Sequence, residues 1–192
     1  MAHISTSMLD CSKKALREGD EKAIDVVYRK EEVVDELYKE ISEYLTKISE
    51  TDMSEDQSRM MIMLMHAASD IERVSDHCQG LAKMARTMKD KDMEFSAAAK
   101  EDMLEIFRKS RSSYVKAVKT LETGDRKLGH DVFILENEID ELKKTLEKRH
   151  YDRIEKEACK PEAGGIYLNA IKRLERISDH AQNIAMAVVM EG

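Results

Sequence analysis

The sequence predicts an all-α protein, two tandem three-helix repeats forming a six-helix bundle, and three observations carry that prediction. Aromatic residues make up 5% of the chain, proline occurs once, and charged residues reach 37%, a composition that suits long amphipathic helices. Apolar residues recur at helical spacing over long stretches. The third observation is a duplication: IERVSDHCQGLA at 71–82 returns as LERISDHAQNIA at 174–185. Glu72 and Asp76 therefore correspond to Glu175 and Asp179, 103 positions further on.

Each element has its own signal. Residues 5–18 read as a short helix stopped by Gly19, with Asp20 as N-cap of the next. From 20 to about 49, Val27, Val34, Ile41 and Ile48 recur every seven residues with Leu37 and Leu45 between them, one long amphipathic helix. Ser54 and Gln57 form a capping box that opens a third helix, expected to reach about Met88, with its seam at Ile71, Val74, Cys78, Leu81, Ala85 and Met88. The charged break Lys89–Asp92 separates the halves. A fourth helix is expected from about Glu94 to Glu122, closed by Gly124, with Asp125 capping the fifth. That fifth helix, to about Ala158, carries Val132, Leu135, Ile139, Leu142 and Leu146 at coiled-coil spacing. Pro161 suits the first turn of the sixth, whose seam is Leu174, Ile177, Ala181, Ile184 and Val188.

The repeat extends beyond the opening motif. Gly19-Asp20 matches Gly124-Asp125, and Asp35-Glu36-Leu37 matches Asp140-Glu141-Leu142, both 105 positions apart. The 192 residues suit a single domain, with repeat one over about 5–90 and repeat two over about 93–191.

The net charge of −7 and the lack of a basic stripe argue against nucleic acid as a partner. The longest strongly apolar run, Met60 to Met65, falls far short of the ~20 residues a membrane span needs; it reads as core. No secretory pattern opens the chain, and three cysteines without metal-type spacing read as reduced thiols of a cytoplasmic protein, Cys78 as inert packing.

Carboxylates carry the functional signal. Glu31 with Asp35 and Glu136 with Asp140 add two further i,i+4 acidic pairs, so each long helix flanking a hairpin bears one Glu-x-x-x-Asp motif. Such pairs share a helix face and repel one another, at some expense in helix stability. In an antiparallel hairpin, facing residues have constant summed numbers. Glu31 and Asp76 sum to 107, as do Asp35 and Glu72, which centres the turn near 53.5; the second half sums to 315, centring it near 157.5. Helices pack about 8–10 Å apart, so four carboxylates at one height can converge on the same ions. The expected metal-binding residues are Glu31, Asp35, Glu72 and Asp76 in one cluster, and Glu136, Asp140, Glu175 and Asp179 in the other. The seams place them beside the core line, at a solvent-open surface. All-oxygen ligation suits magnesium, manganese, calcium or iron. Asn183 is a further oxygen donor whose first-half counterpart is Gly80; His77 and His180 follow the aspartates and either support the ligands or, the favoured reading, make ordinary hydrogen bonds.

These residues, LERISDHAQNIA with its degenerate twin DIERVSDHCQGLA, resemble the signature of PhoU-type phosphate-signalling proteins. The segment 150–185 is similar to the cytosolic PhoU-like domain at the C-terminus of bacterial sodium/phosphate symporters. The resemblance implies a PhoU-like six-helix fold, multinuclear metal ions (iron, zinc, manganese or magnesium) at the eight carboxylates, and no catalytic activity. It also implies a cytoplasmic regulator of phosphate uptake, at the inner face of the membrane through a membrane phosphate transporter. That transporter is met in trans or is fused upstream as a sodium/phosphate symporter; some members also contact a sensor kinase, and a homodimer is left open. Gly80 departs from the family pattern, where Asn is usual, and Ser75 and Ser178 stand where Gly is common.

Two other readings compete. A di-iron enzyme needs paired Glu-x-x-His motifs, and only Glu147 with His150 has that spacing. A metal-free helical adaptor would use Met60 to Met65 as a docking surface.

Overall fold

A computed structural model describes residues 1–156 and 161–190, the side chains of residues 161 and 162 aside. Six helices follow in order: α1 (Ala2–Glu18), α2 (Glu21–Ser49), α3 (Glu55–Asp90), α4 (Ala97–Thr123), α5 (Arg126–Glu155) and α6 (Pro161–Met190). The 157.5 turn centre, the expected end at Ala158 and Cys159 lie outside the described residues.

Local chemistry sets the helix ends. Asp20 accepts a hydrogen bond from Ala23 N at 3.1 Å, and Asp125 accepts from Lys127 N at 2.9 Å, each satisfying a donor that the first helical turn leaves free. Gly19 and Gly124 close α1 and α4 at φ 63° and 69°, the left-handed conformation in which glycine carries no Cβ penalty. The Ser54–Gln57 capping box forms in both directions. Helix α4 starts at Ala97, later than the expected Glu94, because the Ser96 hydroxyl caps Ala99 N and Phe95 before it is buried. Helix α1 starts earlier than expected, at Ala2, and is still shorter than α4.

Helices α1, α3, α6 and α4 form a closed ring of contacts, each touching the next; α2 covers α1 and α3, and α5 covers α4 and α6. The two repeats thus meet along α3–α6 and α1–α4. Val74, Cys78 and Leu81 on α3, and Leu174, Ile177, Ala181 and Ile184 on α6, are fully buried. Burying a large apolar side chain contributes about 1.5–3 kcal/mol, so the seams dominate the stability of the bundle. Burial also pushes the Cys78 thiol up, keeping it protonated. Small buried residues repeat with the duplication: Ser75 on α3 touches Met8 on α1, and Ser178 on α6 touches Ser113 on α4.

The reading of Met60 to Met65 as core does not hold: Met60 is 53% exposed, and Ile62, Leu64 and Met65 are also exposed. This run is apolar on every side, and near the end of the α2–α3 hairpin only part of its circumference can be covered. Among the described residues no helix is long and apolar enough to cross a membrane.

Candidate metal centres

Helices α2 and α3 run antiparallel through the turn at 50–54, which brings the first foursome together. One carboxylate oxygen each from Glu31, Asp35 and Asp76 lies within 4.8 Å of the others. Oxygens bound to one ion at about 2.0–2.6 Å can stand about 4–5 Å apart, so these three match the spread a single hard cation needs. Glu72 adjoins them, close enough for the charges of Asp76 and Asp35 to act on it. The hairpin register is the one the summed numbers expect.

These side chains are half-buried or exposed, and their mutual repulsion is only weakly relieved. Burial and then the charges of Asp35 and Asp76 hold Glu31 above the ordinary carboxylate range. Burial also raises Glu72 and Asp76, against the pull of Arg73. That guanidinium stands 3.7 Å from both Glu72 and Asp76 and is itself exposed. Gln79 lies near enough to Glu31 to work against the rise there. The donor set is wholly hard oxygen, held near neighbours of like charge, which fits a divalent cation.

The second foursome occupies the same places on α5 and α6 but is neutralised from within. Lys143 Nζ donates to Glu175 Oε1 at 2.8 Å, Lys144 Nζ pairs with Asp140 at 2.9 Å, and Arg176 Nη1 donates to Asp179 at 2.8 Å. Gln182 Nε2 donates to Glu136 Oε2 at 3.0 Å. Burial, then the charge of Asp179, raises Glu136; burial, then Glu175, raises Asp179. Glu175 is 8% exposed, deeper than the solvent-open surface expected for it.

Sequence reasoning overlooked the two glutamines, although Gln79 and Gln182 share the 103-residue offset of the motif. It offered Asn183 to the second cluster, and it favoured ordinary hydrogen bonds for the two histidines. Asn183 turns away from the second cluster and donates to Asp70 Oδ1 on α3 at 3.2 Å. His180 Nδ1 meets the same Asp70 oxygen at 2.8 Å, and His77 lies 3.4 Å from Arg173. The two imidazoles face each other across the α3–α6 seam at 5.4 Å. Asp70 and Arg173 are themselves 103 positions apart, so the seam is a pseudo-symmetric polar row in which each repeat caps the other's histidine. Gly80 leaves the room that the Arg173 guanidinium fills. Burial, then His180 and the nearby arginines, pushes His77 down to about 4, so it is neutral at neutral pH.

Comparison with known proteins gives concordant matches. The model of the PhoU domain family matches residues 1–85 and 103–188. The phosphate-specific transport system accessory protein PhoU homolog 1 of Thermotoga maritima is 22% identical over 190 residues, 98% of this chain and 81% of that protein. The crystal structure of PhoU from Pseudomonas aeruginosa superposes with a TM-score of 0.94 at 19% identity, over 100% of this chain and 91% of that one. The phosphate transport system regulatory protein PhoU from Streptococcus pneumoniae superposes at 0.84 with 20% identity, over 99% and 90% of the two chains. At such identities the structures speak for the fold. With both repeats matched by the family model, the chain belongs to the PhoU domain family.

Proposed function

We propose that this chain is a metal-binding regulator of phosphate transport, acting through contacts with a membrane phosphate transporter. The single observation that carries the metal part is the convergence of Glu31, Asp35 and Asp76 across the α2–α3 hairpin. The transport part is supported by family membership and by a relative named as a phosphate-specific transport system accessory protein. In this reading Glu31, Asp35, Glu72 and Asp76 hold the cation, and Gln79 orients Glu31. The cation removes like-charge repulsion and locks α2 against α3, giving the hairpin a defined face to present to the transporter. The transporter is met in trans or, as in sodium/phosphate symporters with such a domain, within the same polypeptide. No reaction is assigned.

Metal analysis of protein purified without chelator tests the first part. Magnesium, manganese, calcium or iron should accompany the native chain and be lost from a D76A variant. Phosphate uptake by cells carrying the native or D76A form tests the second, and unchanged uptake would count against it.

A metal-free helical adaptor is the second reading, favoured by the exposed apolar run of Met60, Ile62, Leu64 and Met65. Protein purified free of metal, with uptake that depends on this run but not on Asp76, would select it.

A further inference from the structure

The duplication places two carboxylate foursomes at equivalent positions, yet their surroundings differ at one decisive residue. Lys143, three residues after Asp140 on α5, reaches across to α6 and donates to Glu175 Oε1 at 2.8 Å; both side chains are largely buried. Its counterpart in the first repeat, at the offset relating Asp35 to Asp140, is the uncharged Tyr38. Arg176 stands 2.8 Å from Asp179, whereas Arg73 stands 3.7 Å from Asp76. Lys144 pairs with Asp140, while no ion pair to Lys39, its counterpart, forms among the described residues.

We propose that the Lys143 ammonium serves as the resident cation of the second cluster, so that the two repeats are unequal and a divalent ion is taken up between α2 and α3 only. This rests on the reading that the acidic clusters exist to hold cations. A divalent ion bound to Glu175 would sit about 2.0–2.6 Å from its oxygen, in close repulsive contact with the ammonium already hydrogen-bonded there. A buried like-charge pair of that kind is strongly unfavourable. The other oxygen of Glu175, Oε2, is buried and lacks a hydrogen bond among the described residues; Arg176 Nε stands 3.7 Å from it. Removing the ammonium would therefore leave a buried carboxylate that needs a cation. The duplication has one half built for an exchangeable ion and the other closed by a covalently tethered one. The second half would then act as a permanently locked hairpin, and the first as the half whose order depends on metal.

The test titrates the full chain with Mn²⁺, following bound metal by electron paramagnetic resonance and thermal stability in chelator and in Mn²⁺. The parent is compared with E31Q/D76N, E136Q/D179N, K143M and K143M/E175Q; K143Q replaces K143M if the latter does not fold. Expected results are loss of Mn²⁺ binding in E31Q/D76N and unchanged binding in E136Q/D179N. K143M should melt below the parent in chelator, recover in Mn²⁺, and bind Mn²⁺ at an added site roughly tenfold or more tighter than any second-cluster binding in the parent. That added site should vanish in K143M/E175Q. Loss of parental Mn²⁺ in E136Q/D179N, or no gain in K143M, overturns the proposal. If E31Q/D76N binds as the parent does, the assignment of the first cluster fails, while the K143M comparison still decides the role of the lysine.

Discussion

Replacing Asp76 by Asn should change sign with metal. Asp76 has Glu72 one turn before it on α3, and the Glu31 and Asp35 carboxylates across the hairpin. A like-charge pair at i,i+4 costs a helix about 0.2–0.5 kcal/mol, and three such neighbours together cost roughly 1 kcal/mol by the same measure. The opposing pair with exposed Arg73 is long, 3.7 Å, and an exposed ion pair is worth about 0–1 kcal/mol at most. In chelator, D76N should therefore be as stable as the parent or more stable, by up to about 1 kcal/mol. With a divalent ion at 100 times its dissociation constant, the parent gains about 2.7 kcal/mol, which D76N forfeits. The two denaturation curves should exchange order between chelator and metal. Urea unfolding followed by circular dichroism, with and without Mn²⁺, measures both arms. If D76N is clearly destabilised in chelator, Asp76 is held by favourable contacts, and the argument that its cluster awaits a cation fails.

Five further outcomes follow from the packing and titration of named groups. Asp102, 6% exposed, accepts from Arg153 at 2.6 Å, Arg149 at 2.8 Å and Tyr167 at 3.1 Å; D102A should cost about 3–5 kcal/mol because it strands the buried Arg153 charge. R149A, removing a half-exposed partner, should cost no more than about 1 kcal/mol in the same urea assay. Alanine at Gly80 meets only the movable end of Arg173, so G80A should be near neutral or gain up to about 1 kcal/mol of helix propensity; at Gly129 the new Cβ would stand 2.5 Å from Val189 Cγ2 and 3.7 Å from Ala185 O, and G129A should lower the melting temperature. His77, pushed down to about 4 from 6.5, contributes stability that is present above pH 6.5 and lost as pH falls toward 4, since the unfolded chain binds the proton first; H77Q should flatten that part of the stability–pH curve relative to the parent.

The helices and their duplication were legible in the sequence because both rest on local chemistry and on spacing. Asp20, Ser54 and Asp125 cap helices wherever they lie in space, and Gly19 and Gly124 end them for the same local reason. Summed residue numbers put Glu31 level with Asp76 because an antiparallel hairpin leaves little freedom of register. Fold class and the eight carboxylates that are candidates for metal follow from spacing and composition alone. What surrounds those carboxylates depends on how the helices pack. Spacing cannot show that Lys143 swings into the second cluster, since a side chain's reach depends on the facing helix. Nor could it show that Asp70 captures His180 and Asn183, because those contacts join residues 110 or more positions apart. Apolar character likewise predicted burial for Met60 to Met65, but burial needs a neighbour, and the end of a hairpin does not supply one on every side.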